Sequence, residues 1–270
     1  MKKILLSLLA VGAVSSFVFA QADPAADLKA AKKAYRSYLD GGEVKDIEAA
    51  REKIDAAFKT DALLAEPKQA IKALMAKQEI YNELTKADIL GLGAAQAKKE
   101  KYEFKYADAG YIGADAFLKI ANLATASKGD KKDALESVTF IADQLMRSSL
   151  GNYDKQKFTT AADGFVRLLE LKKAADAIGS NKILDNKELQ NDILFYSGLA
   201  SYQGGQYERA IEYLTRSAKE GYKSQMGEGA VYHYMVESYN KLKKPEKRSE
   251  ERRVGKECCS WCRSRWSPYH

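Results

Sequence analysis

One helical stripe returns four times along this chain. Ile47, Ala50, Ile54 and Ala57 form the first, and Tyr111, Ala114, Leu118 and Ala121 the second. Phe158, Ala161, Phe165 and Leu168 form the third, and Tyr207, Ala210, Leu214 and Ser217 the fourth. Offsets of three, four and three residues put each set on one face of an α-helix. An ordinary amphipathic helix yields apolar residues at this spacing, but it does not require alanine at the second position every time. A small residue there lets a second helix come close, while its bulky neighbours fill the space between the two. A chain with this pattern is expected to fold as helices packed in pairs.

The rest of the sequence agrees. Outside the last residues, proline occurs only at Pro24, Pro67 and Pro245, and the stretch from Lys68 to Lys244 is rich in Ala, Leu, Lys and Glu. That composition favours helix, and no long alternating run of β-branched residues signals a sheet. We read the chain as all-α, with antiparallel helix pairs. First helices are expected over Leu28 to Leu39, Pro67 to Leu84, Asp133 to Leu150 and Asp192 to Tyr202. They end at Gly41-Gly42, Gly151-Asn152 and Gly204-Gly205 where glycine is present. Gly229 to Leu242 opens a fifth pair. Ile89 to Tyr106 and Ala177 to Lys187 read as insertions, with Gly91-Leu92-Gly93 as a helix end or loop. The basic clusters Lys98-Lys99-Glu100-Lys101 and Lys128 to Lys132 read as solvated loops.

Both ends stand apart. Lys2 and Lys3 precede an apolar run from Ile4 to Ala20, followed by small residues. We read 1–22 as a signal peptide cleaved after Ala20 or Ala22, which sends the chain to the periplasm or outside the cell. An uncleaved anchor is the alternative, on a stretch barely long enough to span a bilayer. No later segment approaches the length of a membrane span. From Arg248 the chain reads RSEERRVGKECCSWCRSRWSPYH and loses the apolar period. This resembles the translation of a sequencing-library adapter, so 248–270 reads as a non-native tail and 23–247 as a truncated repeat domain.

Function classes narrow accordingly. The tail holds six Lys/Arg against three Glu, and the leader holds Lys2 and Lys3, which leaves only +2 of the chain's net +7 for the segment between them. The basic balance is therefore an end effect and not a nucleic-acid footprint. Cys258, Cys259 and Cys262 all lie in the tail, as does His270, so the only His outside it is His233. Nucleophilic triads need a base beside the nucleophile, and no glycine-rich phosphate loop is present. His233 and Glu237 lie one helical turn apart, but two ligands are too few for a zinc site. Carboxylate pairs suited to glycoside hydrolysis stay open. We expect no catalytic residue, no metal and no cofactor.

Gly198 and Ala200, then Gly205-Gln206-Tyr207 and Ala210, occupy the small and turn positions of a tetratricopeptide repeat. Ser238-Tyr239-Asn240-Lys241-Leu242 with Pro245 echoes them. The chain resembles that family over about residues 191–247 and in degenerate form over the rest. Its stripes start 64, 47 and 49 residues apart, against a family period of about 34. The resemblance implies a right-handed superhelix (an α-solenoid) with a groove lined by first helices. Projected onto this sequence, the groove takes Tyr35, Leu39, Met146, Phe195, Leu199, Tyr202, Gln203, His233, Glu237, Asn240 and Lys241. Packing between helices falls to Ile47, Ala50, Tyr111, Ala114, Phe158, Ala161, Gly198, Tyr207 and Ala210. The expected role is an exported scaffold that binds other proteins, which leaves room for a membrane-associated complex. A glycan-binding module of a surface uptake system and a cryptic hydrolase are the alternatives. The lack of Trp outside the tail counts against the glycan reading.

Overall fold

A computed structural model describes residues 23–179, 182–222 and 229–242. Among them are ten α-helices and no strand: α1 (Pro24–Leu39), α2 (Val44–Ala57), α3 (Pro67–Ala97), α4 (Ala109–Asn122), α5 (Lys128–Glu136), α6 (Val138–Asp154), α7 (Phe158–Ile178), α8 (Lys187–Gln203), α9 (Tyr207–Lys219) and α10 (Ala230–Lys241). The signal-peptide and adapter readings, with the cysteines they involve, lie outside the described residues. None of the described helices is long and apolar enough to cross a membrane.

Local chemistry sets the helix starts. Asp23 accepts from the amides of Ala25 and Ala26 ahead of α1, and Pro24 fills the first turn. Glu66 caps α3 in the same way with Pro67 behind it, and Asn186 caps α8. Such caps satisfy amides that have no partner inside the helix. Gly41 and Gly205 close α1 and α8 at positive φ (91° and 76°), a backbone region that glycine enters without strain.

Four boundaries differ from the sequence reading. α3 runs on through Gly91 and Gly93 to Ala97, 31 residues in all. Gly91 does not end the helix; it makes room for a neighbour, since a Cβ there would stand 2.7 Å from Tyr102 Cζ. The expected helix from Asp133 to Leu150 is two helices, broken at Ser137. There Gln78 of α3 donates to the Ala134 carbonyl, an acceptor that an unbroken helix would use itself, and to Ser137 Oγ. α6 then continues past Gly151 to Asp154. Lys128 to Lys132 are helical, not a loop, because Ser127 and Asp130 form a capping box that starts α5.

Helices pack in a repeating order. α1 lies against α2, α3 against α4, α6 against α7, and α8 against α9. The second helix of each pair also touches the first helix of the next: α2 with α3, α4 with α6, α7 with α8, and α9 with α10. Ala50, Ala114, Ala161 and Ala210 are all wholly buried. At Gly198 the approach of α8 to α9 is so close that a Cβ would meet Leu214 Cγ at 2.6 Å. Tyr111 departs from its expected packing role. It is 39% exposed, with its ring 5.2 Å from the Arg167 guanidinium and its hydroxyl accepting from Arg167 Nη2 at 3.2 Å. Phe158 and Tyr207 are half-buried, whereas Ile47 is buried.

The core is divided. One cluster joins α1, α2 and α3 to Ala109 of α4, a second joins Leu74 of α3 to helices α4 to α8, a third joins Phe195 and Leu199 of α8 to Leu214 of α9 and to Val231 and Met235 of α10, and a small fourth joins Val166, Leu194 and Tyr213 across α7, α8 and α9. An unpartnered α10 would leave Val231 and Met235 open, yet both are buried to 1% exposure.

A polar hub ties the connection between α3 and α4 to this frame. Asp88 accepts from Tyr102 Oη (2.9 Å), Lys105 N (2.9 Å), Tyr106 N (2.8 Å) and Gln144 Nε2 (2.8 Å). Gln144 Nε2 donates also to the Tyr106 carbonyl, and its Oε1 accepts from Gly110 N at 2.6 Å. Both hub residues are buried. A buried carboxylate is costly unless its oxygens are satisfied, and here four donors satisfy it.

Candidate binding face

The expected groove residues separate into three groups. Phe195 and Leu199 are 1% exposed, sealed beneath α10 by Val231 and Met235. They are core residues and cannot touch a partner. This corrects the projection of that α8 face into a groove. Tyr35 is half-buried on α1 and faces Glu79 and Glu83 of α3; burial first, then those two charges, hold its hydroxyl well above the usual tyrosine range. It belongs to a different part of the molecule from the α8–α10 set.

The third group comes together at the end of α8. Tyr202 stands with its ring 5.2 Å from that of Tyr234 and 6.0 Å from that of Tyr207. Burial chiefly, and then the Glu237 carboxylate, raise its pKa. Tyr202 and Glu237 therefore share one electrostatic environment, although they lie on different helices. Glu237 accepts from Asn240 Nδ2 at 3.2 Å. His233 is exposed, with its ring edge-on to Tyr234 at 5.1 Å. Gln203 is exposed, and it lies near enough to the Tyr153 hydroxyl at the end of α6 to offset part of the rise in pKa that burial causes there. Lys241 is exposed in the last turn of α10.

The face thus spans three first helices, α6, α8 and α10. Two of its residues, Tyr153 and Tyr234, escaped the sequence reading. Tyr153 lies seven residues after Met146, hence on the same face of α6. That offset was the available signal. Tyr234 directly follows His233, and only the α8 contact separates its role from that of a core tyrosine.

Chemically the face offers amphipathic rings, an amide, a carboxylate and a lysine, all at least partly accessible. Tyrosine supplies contact area at low entropic cost and is enriched where proteins meet. Among the described residues, no three His, Cys, Asp or Glu side chains gather closely enough to hold a metal ion. Comparison with known proteins finds no family model that matches the chain, no similar curated protein and no similar solved structure.

Proposed function

We propose that the chain is an exported helical-repeat scaffold of the tetratricopeptide kind, which binds other proteins and performs no catalysis. Its pairs stack into a right-handed superhelix, and the face formed by Tyr202, Gln203, His233 and Glu237 receives the partner. The observation that carries this reading is the packing order. Each second helix touches the first helix of the next pair at four successive junctions, the arrangement expected when neighbouring repeats bury one another's apolar faces. The accessible tyrosine-rich face on three first helices supports it further.

A photo-crosslinking residue placed at His233 or Gln203 tests the proposal in the native envelope. A few discrete protein adducts are expected, and none from the same residue at Glu52, an exposed position on the second helix α2. Adducts of equal number and size from both positions would reject the assignment of the face.

A further inference from the structure

The connection from residue 98 to residue 108 is the part of the α3–α4 pair that a simple repeat does not need. Long ordered connections in compact domains usually carry function. This one is fastened at several points. Besides the Asp88–Gln144 hub, Ser148 Oγ on α6 donates to the Ala107 carbonyl at 3.3 Å. Tyr102 lies along α3 where Gly91 leaves room.

Between this connection, the end of α3 and the last turns of α6 lies an open cleft of about 570 Å³. That volume falls in the range of ligand sites, about 300–1,000 Å³. Tyr102 and Phe104, edge to face at 6.0 Å, form its aromatic wall. Gln96 and Asn152 contribute carboxamides, each able to donate and accept as a peptide backbone does. Lys101, Arg147 and Lys155 line it, against the single carboxylate of Glu103. Arg147 is steadied through Nε on Asp143 (3.0 Å), while Lys101 and Lys155 form no ion pair among the described residues. Unanswered cations beside an aromatic wall, with amides between them, complement an extended chain that carries carboxylates and an apolar side chain.

We propose that this cleft is a second docking site, for an acidic peptide segment of the partner protein. It rests on the scaffold reading above and names the chemistry of what the scaffold binds. The wall is held in place before binding, so little ordering of the connection opposes association. Because the rim charges are solvent-exposed, affinity should fall as salt rises.

The test uses the full chain and two fluorescein-labelled decapeptides. One is rich in glutamate around a single phenylalanine, and the other has lysine in place of each glutamate. Fluorescence anisotropy should show the acidic peptide binding at least about tenfold more tightly. The K101E/K155E double variant should reverse that preference, and Phe104→Ala should weaken the acidic peptide without reversing it. Thermal melts of the variants should match the parent. Equal binding of both peptides, no binding up to about 1 mM, or an unchanged preference in the double variant overturns the proposal. So does binding of an oligogalacturonate in place of the peptide. Discrete adducts from His233 in the absence of peptide binding would reject this site alone and leave the scaffold reading standing.

Discussion

Substituting Asp88 by alanine removes the acceptor of four hydrogen bonds at once. The donors do not suffer equally. Tyr106 N is buried and has no alternative acceptor at that point, so it bears the full cost of an unmade bond, about 1–3 kcal/mol. Gln144 Nε2 keeps its bond to the Tyr106 carbonyl. The Tyr102 hydroxyl and Lys105 N are only partly buried and can turn to water, at about 0.5–1 kcal/mol each. The expected loss is therefore about 2–5 kcal/mol, on the order of 10 °C in Tm for a domain of this size. Asp88→Asn retains one acceptor oxygen and should fall between parent and Asp88→Ala. Urea unfolding followed by circular dichroism reads the midpoint and the slope together. A loss below about 1 kcal/mol for Asp88→Ala with an unchanged slope would show that the hub does not hold the 98–108 connection.

Ala210→Leu should overpack the wholly buried α8–α9 contact and cost about 1–3 kcal/mol by the same assay; a neutral effect would mean that the contact is loose. Burial is the first cause of raised hydroxyl pKa values at Tyr35, Tyr81, Tyr106, Tyr153, Tyr202 and Tyr213, and it pushes Tyr102 up to about 12. Their folded values exceed the unfolded one, so their contribution is intact below pH about 10 and is lost as pH rises toward the folded values. Absorbance at about 295 nm should show tyrosinate appearing together with unfolding; full ionisation with the helical signal unchanged would contradict the burial. A compact globule of about 225 residues has a radius of gyration near 17 Å. Small-angle scattering from the stacked array should exceed about 20 Å, and a value at the globular limit would reject the superhelix.

What the sequence disclosed was local. Pro67 marked the start of α3, the glycines after α1 and α8 marked their ends, and the small residue within each stripe marked where two helices meet. What stayed hidden depended on residues distant in the chain. Gly91 and Gly93 read as a helix end because the reason for Gly91, the Tyr102 ring, folds back from outside the helix. The break at Ser137 follows from Gln78, 59 residues earlier. Phe195 and Leu199 share a helix with Tyr202 and Gln203, and only the cover supplied by α10 decides which pair stays accessible. Of the candidate face, the sequence pointed to the polar residues of α10, the end of α8 and, through Met146, one side of α6. That Tyr153 and Tyr234 belong to it required knowing which helices are neighbours.

The divided core has a consequence for turnover. α8 belongs to three clusters, giving Ile193 and Ala200 to the central one, Phe195 and Leu199 to the one beneath α10, and Leu194 to a small one with Val166 and Tyr213. Tyr213 and Arg209 tie α9 back to Val166 and Asp163 of α7, whereas α10 packs on α9 and α8, so α10 can open while the central cluster stays intact, and partial opening there need not wait for global unfolding. A protease would find its first cuts there, and the trimmed chain would still be a folded protein with its 98–108 cleft in place. Its lifetime would then be set by two successive clocks, one for α10 and one for the remainder.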